Sequence, residues 1–386
     1  MPLTGCLDYR EGQINLLREK IVEKIRSEGP INFETFMEMV LYYPGLGYYS
    51  RQSTVIGRRG DFYTSPHLHP FFGAMIGKQI FEFWEILGGS SFHIVEMGAG
   101  EGYLARDMLN YLKKSKTDFF RQLNYTIIEI NPSVRIRQDG LLRDFSGKVS
   151  WVSSLDDLDD LVGCLISNEL LDSFPVRLVE MEDDIKEIFV TVDGDGNLRE
   201  IKRCGDAEVK NYFEEFNIKI PKGYRTEVNL RIKEWLIKAN ERLKDGFIMT
   251  IDYGYPSSDY YSDERYKGTL LCYYNHKVME NPYEHIGDQD ITAHVNFSSL
   301  KRWGEALGIK TIGFCEQGPY LVSLGIDDVI RDVCGKSPDP FDIARIKGLL
   351  LPEGMGESHK VMIQYKGGLQ IRKLQGFNLR NRINWL

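Results

Sequence analysis

The chain has 386 residues, 42% hydrophobic and 27% charged, and no apolar run approaches the roughly 18 residues that read as a membrane span. A formal net charge of -8 argues against nonspecific nucleic-acid binding, which needs a basic surface to displace counterions from phosphate. The six cysteines form no Cys-x-x-Cys pair, so neither a zinc site nor a disulfide framework is suggested. Residues 1–10 have neither a basic-then-apolar signal nor a transit-peptide composition, which makes the cytoplasm the expected compartment.

Ile14, Leu17, Ile21, Val22 and Ile25 recur at helical spacing before Gly29-Pro30, which predicts an amphipathic helix over 12–28. Further helices are expected over 33–43 and 70–87, with a glycine- and arginine-containing loop between them. After Gly88-Gly89 short apolar runs alternate with helical segments, the pattern of a parallel sheet with crossover helices. Strands are expected over 92–97, 125–130, 149–152, 164–167 and 247–252, with helices after Gly102, Pro132 and Ser173. A helix over 297–307 and strands over 310–314 and 360–365 would complete a seven-stranded sheet.

Two stretches interrupt the alternation, near 179–224 and 255–293. The first has a hairpin turn at Asp193-Gly194-Asp195-Gly196, where Leu198 and Cys204 stand in place of the glycine and glutamate of a calcium loop. The expected organisation is an N-terminal helical region 1–88, a first half of the core 89–178, an insertion 179–228, core 229–254, a second insertion 255–296 and the rest of the core 297–386.

The strand over 92–97 runs into Gly98-x-Gly100-x-Gly102, where missing side chains permit a tight turn and close approach of a nucleoside. A dinucleotide fingerprint would place its third glycine one residue later, at Tyr103. S-adenosylmethionine has no pyrophosphate and carries an ammonium group, which suits Glu96 at the strand end. Glu129, ending the second strand, is the candidate for the ribose hydroxyls. Leu155, in Ser153-Ser154-Leu155-Asp156, stands where adenine would lie, although Ser154 or Asp156 would equally serve as a helix cap.

The fourth strand ends in Ser167-Asn168-Glu169-Leu170-Leu171-Asp172, with Asn168 a cofactor contact. If the chain turns helically after Asn168, Glu169 and Asp172 share a face and together could grip a guanidinium; otherwise they are surface residues after a strand. The Asn-Pro-Pro-Tyr turn of enzymes that methylate amide or adenine amino groups is absent here, which disfavours nucleobase methylation.

Six ordered blocks resemble the MidA-like methyltransferase family: Gly60-Asp61-Phe62-Tyr63-Thr64-Ser65-Pro66, Glu96 to Gly102, Ser167 to Val176, Asp252-Tyr253-Gly254, Gly268-Thr269-Leu270, and Asp290-Ile291-Thr292-Ala293-His294-Val295-Asn296-Phe297. The resemblance implies an α/β, class I (Rossmann-like) seven-stranded methyltransferase core, with N-terminal helices and two insertions forming a substrate-covering part. It also implies S-adenosyl-L-methionine as cofactor and methylation of a protein arginine, with a respiratory complex I type subunit as a candidate acceptor. In the first block, Asp61 and Thr64 are expected to bond the cofactor from a polar loop beside the sheet edge; the alternative is an ordinary capped turn before the third helix. His294 and Asn296 are expected to reach the acceptor as base or orienting group, unless Asn296 merely caps the helix from Phe297. The expected partner is a protein with an accessible arginine, without nucleic acid, membrane insertion or metal; a homodimer is compatible with this. The rival readings are a noncatalytic assembly factor on the same fold and a nicotinamide-dependent oxidoreductase.

Overall fold

Strands of a parallel sheet are dry on both faces, so their sequences read as continuous aliphatic runs. The computed structural model describes residues 4–51, 64–371 and 373–386. Seven strands succeed one another in its larger sheet: β1 (Phe92–Met97), β2 (Leu123–Ile128), β3 (Val149–Val152), β4 (Leu161–Asn168), β5 (Leu243–Tyr255), β6 (Lys310–Glu316) and β7 (His359–Lys366). They lie in the order β6-β7-β5-β4-β1-β2-β3, and the two-residue strand Val295–Asn296 adds an eighth beside the end of β5. Pairing is parallel from β5 to β3, whereas β7 runs antiparallel to both its neighbours.

Helices Pro70–Ile86, Tyr103–Ser115, Pro132–Leu141 and Phe297–Ala306 accompany this sheet. Phe71, Met75, Ile76, Ile80 and Phe83 of the first are fully buried in one cluster with Ile94, Leu104, Met108 and Phe247. Each such side chain contributes about 1.5–3 kcal/mol by leaving water. Phe83 stacks on Phe247 with ring centroids 3.9 Å apart.

The chain divides into two units. The sheet unit comprises Tyr63–Leu171, Lys233–Pro256 and Val295–Leu386; the other comprises Met1–Phe62, Asp172–Ile232 and Ser257–His294. In the second unit an antiparallel sheet has Ile185–Val192 at its centre, paired with Ile31–Asn32, Arg177–Met181 and, through the expected hairpin, Leu198–Cys204. Its core joins all three segments, with Leu17, Ile21, Phe36 and Met37 buried among Ile188, Val190, Cys272 and Ile291.

The helix expected after Ser173 does not form. Leu171–Ser173 is a single 3-10 turn, after which Arg177–Met181 pairs with Arg225–Val228. Pairing with a strand far along the sequence overrides the local helix-start signal of Asp172, Ser173 and Pro175.

Candidate functional site

Chain order reverses between β1, which leads outward to β2 and β3, and β4, which leads to the other side. Ligands of open α/β sheets sit at the carboxyl ends of the strands at such a switch point. Here those ends carry the glycine turn, Glu129, Asn168 and Glu169.

The turn after β1 needs its glycines: φ is +73° at Gly98, +53° at Gly100 and +86° at Gly102, values that L side chains rarely adopt. Gly102 opens the helix Tyr103–Ser115 from the left-handed region, donating to Ala99 O at 2.8 Å and accepting from Arg106 N at 3.0 Å.

Glu96 is buried within β1, and Tyr125 Oη donates to its Oε2 at 2.6 Å. Burial outweighs that bond and pushes the carboxyl up to about 7. Its Oε1 has no hydrogen bond among the described residues. Glu129 follows β2, its Oε1 accepting from Asn131 N at 2.8 Å and its Oε2 from Gln138 Nε2 at 3.3 Å; burial raises its pKa too. Sequence reading missed Gln138. Fully buried on the helix Pro132–Leu141, it also donates to Gly100 O at 2.8 Å and accepts from Trp151 Nε1 at 2.9 Å, so one amide ties the glycine turn to Glu129.

After β3, Ser154 Oγ accepts from Asp156 N at 3.0 Å and opens the short 3-10 turn Leu155–Asp157, which is the capping alternative. Leu155 is buried, and Asp156 pairs with Lys238 at 2.6 Å on the surface. Asp61 lies outside the described residues. Thr64 is half-buried, its Oγ1 2.6 Å from His67 Nδ1.

The segment after β4 corrects the expectation of a helical turn. Glu169 has φ +50° and its amide extends the ladder to Ile251 O at 2.8 Å, so the shared helical face with Asp172 does not exist. The reason is Asp252, fully buried in β5, whose Oδ2 accepts from Leu170 N at 3.2 Å and Leu171 N at 3.0 Å. Nor is Glu169 a surface residue, its side chain being 5% exposed. Its Oε1 accepts from Ser65 N at 3.1 Å and Asn168 Nδ2 at 3.2 Å, and lies 3.5 Å from His359 Nε2. Its Oε2 has no hydrogen-bond partner among the described residues. Ser65 and His359 were not singled out from the sequence, although Ser65 belongs to a motif block that was.

Asp172 and His294 belong to the other unit. Asp172 is buried, and its carbonyl accepts from Ala293 N at 2.9 Å; His294 N donates to Thr269 Oγ1 at 3.0 Å. The Gly268-Thr269-Leu270 block is explained by Glu227: this buried carboxylate accepts from the Thr269 and Leu270 amides and from Thr269 Oγ1, and a Cβ on Gly268 would stand 2.1 Å from its Oε1. Asn296 caps the helix Phe297–Ala306 through Ser298 N and Ser299 N.

Among the described residues His69, Cys334 and Asp342 bring ligand atoms within 4.8 Å of one another. His69 Nδ1 accepts from Phe71 N at 3.1 Å, which puts the ring proton on Nε2, 3.2 Å from Asp342 Oδ1. The lone pair a metal needs is therefore not available there.

The strand order, the reversed seventh strand and the acid-flanked glycine turn define a class I S-adenosylmethionine-dependent methyltransferase. Three features fit its cofactor: the left-handed glycines, Glu96 Oε1, and Asn168 Oδ1, which is buried without a hydrogen-bond partner at the end of β4. The model of a family described as S-adenosyl-L-methionine-dependent methyltransferases matches residues 75–315, and the chain belongs to this family, the MidA-like methyltransferases.

A protein from Burkholderia thailandensis crystallised with S-adenosyl-homocysteine superposes with a TM-score of 0.89 at 29% identity, covering 100% of this chain and 99% of that one. The Caenorhabditis elegans protein named "Protein arginine methyltransferase NDUFAF7 homolog, mitochondrial" is 28% identical over 82% of this chain and 78% of its own. The Mus musculus "Protein arginine methyltransferase NDUFAF7, mitochondrial" is 26% identical over 92% and 85% respectively. These relatives are named mitochondrial, which overturns the cytoplasmic expectation. Among the described residues no helix is long and apolar enough to cross a membrane.

Proposed function

We propose that the chain transfers a methyl group to an arginine of a protein substrate, with Glu169 receiving the guanidinium. The observation that carries this reading is the state of Glu169, a buried carboxylate at the carboxyl edge of the sheet with one oxygen committed and the other not. The names of the curated relatives support it, and the family resemblance suggests a respiratory complex I type subunit as the acceptor protein.

S-adenosylmethionine supplies an electrophilic methyl group on a sulfonium. The chain's part is to align the acceptor and keep competing water away. Glu96, Glu129 and Asn168 hold the cofactor around the glycine turn, and Thr64 and Leu155 are assigned to it as well. Asp61 joins them from its motif alone. Through its open oxygen Glu169 draws the positive charge of the guanidinium toward the nitrogen it holds, which leaves the nitrogen facing the methyl group more nucleophilic. Asp172 and His294 are assigned as second carboxylate and orienting group on chain position alone.

The test is methyl transfer from labelled S-adenosylmethionine into an extract of cells lacking this gene, with the modified residues located by mass spectrometry. Label on arginine is expected. Label only on other residues or on nucleic acid ends the arginine reading, and no transfer at all favours a noncatalytic binding factor. Glu169→Gln should keep its affinity for S-adenosyl-homocysteine and lose about 100-fold in transfer rate. Gly100→Val should lose the affinity itself, because φ of +53° excludes a branched side chain.

A further inference from the structure

We propose that His359 is a positioning residue for Glu169, fixing one carboxylate oxygen so that the other is presented to the acceptor; this rests on the role given to Glu169 above. The two residues come from distant parts of the chain, and the sheet holds both backbones. Glu169 N extends the ladder from β4 onto Ile251 O of β5, while His359 opens β7 opposite Tyr253 of the same strand.

The imidazole is held on every side but one. It is 7% exposed, meets Tyr253 edge-on with ring centroids 5.3 Å apart, and has Nδ1 3.0 Å from Ser358 Oγ. The Ser358 hydroxyl can donate or accept at Nδ1, whereas the carboxylate oxygen facing Nε2 can only accept, which favours the tautomer with the ring proton on Nε2. That Nε2 is buried without a hydrogen-bond partner, and Glu169 Oε1 lies 3.5 Å away, just beyond bonding range. Buried N–H groups are rarely left unmade, so a small closing movement onto Oε1 is favoured, and contacts at reaction sites commonly tighten when substrate arrives.

The other charges about this pair are already engaged. Asp252 is occupied by the Leu170 and Leu171 amides, and Lys360 Nζ donates to the carbonyls of Glu357 and Ser358. Ser65 N and Asn168 Nδ2 already donate to Oε1, and a His359 Nε2–H that closes the remaining 3.5 Å onto the same oxygen stops the carboxylate swinging about its last bond and gives Oε2 a fixed heading. Removing the imidazole leaves cofactor contacts at the glycine turn untouched but loosens that heading.

The experiment uses the full chain, labelled S-adenosylmethionine and the same gene-deficient extract. His359→Phe should lower the rate at saturating cofactor about tenfold and shift the KM for S-adenosylmethionine and the Kd for S-adenosyl-homocysteine by less than about twofold. His359→Gln retains a donor at similar reach and should recover most of the lost rate. Combined with Glu169→Gln, His359→Phe should add no further loss, because it acts through the carboxylate. If His359→Phe does not fold, His359→Asn, whose amide is too short to reach, takes its place in the same cycle.

A normal rate in the His359 variant beside a defective Glu169→Gln overturns this inference alone, as does a loss that multiplies in the double variant. A normal rate in Glu169→Gln overturns the role of Glu169 itself.

Discussion

Burial pushes the Glu96 carboxyl up to about 7, so around neutral pH the cofactor-free protein exchanges a proton there. A ligand ammonium beside Oε1 favours the ionised form, so binding expels that proton. Affinity for S-adenosyl-homocysteine should therefore fall as pH drops below 7, approaching about tenfold per unit, and calorimetry at pH 6 should register proton release. A flat profile between about pH 5.5 and about pH 8 would remove Glu96 from the cofactor site. Tyr125→Phe takes away the bond that holds the carboxyl down, so it should move the same profile toward higher pH. In the second unit, Gly268→Ala combines a φ of +84° with a clash on the Glu227 carboxylate, and denaturant unfolding should show a loss of about 2–4 kcal/mol.

Among the elements, β5 bears the most responsibility, since its Asp252 sets the path of the segment after β4. Asp252→Ala removes the carboxylate that accepts from the Leu170 and Leu171 amides, which should cost about 2–5 kcal/mol by thermal or denaturant unfolding and depress methyl transfer with it. The elements themselves were largely legible. β1 and β3 fall where their apolar runs lie, and the helices after Gly102 and Pro132 follow from glycine and proline signals that act within one turn. What was illegible depends on partners far away in sequence. Nothing local tells Glu169 to adopt a left-handed backbone, since the acceptor that pins the next two amides is Asp252. Gln138 reads as one more polar residue on a surface helix until Gly100, Glu129 and Trp151 converge on it. His359 has no motif neighbour at all, and only sheet order brings it to Glu169.

For the whole molecule, the N-terminal helices as far as Tyr42 and the two interruptions share one core, whereas the helix Pro70–Ile86 of the expected region 1–88 packs into the sheet unit, and no segment of that size buries enough surface alone. Ile21→Ala, on the N-terminal helix, should accordingly destabilise the second unit by about 2–5 kcal/mol in equilibrium unfolding. Glu96 also leaves a mark on global stability. Its folded pKa exceeds the unfolded one, so its contribution is full below about pH 4.5 and disappears as pH rises through about 7. Between pH 6 and pH 8 it should account for a fall of about 1 kcal/mol in the cofactor-free protein, a fall that Glu96→Gln removes. The reversed strand β7 has a consequence for biosynthesis. Because it slots between β5 and β6, both of which leave the ribosome earlier, the nascent chain must carry two unzipped backbone edges until residue 366 emerges. A stop codon ahead of His359 would thus yield a sticky, chaperone-dependent fragment instead of a slightly shorter enzyme.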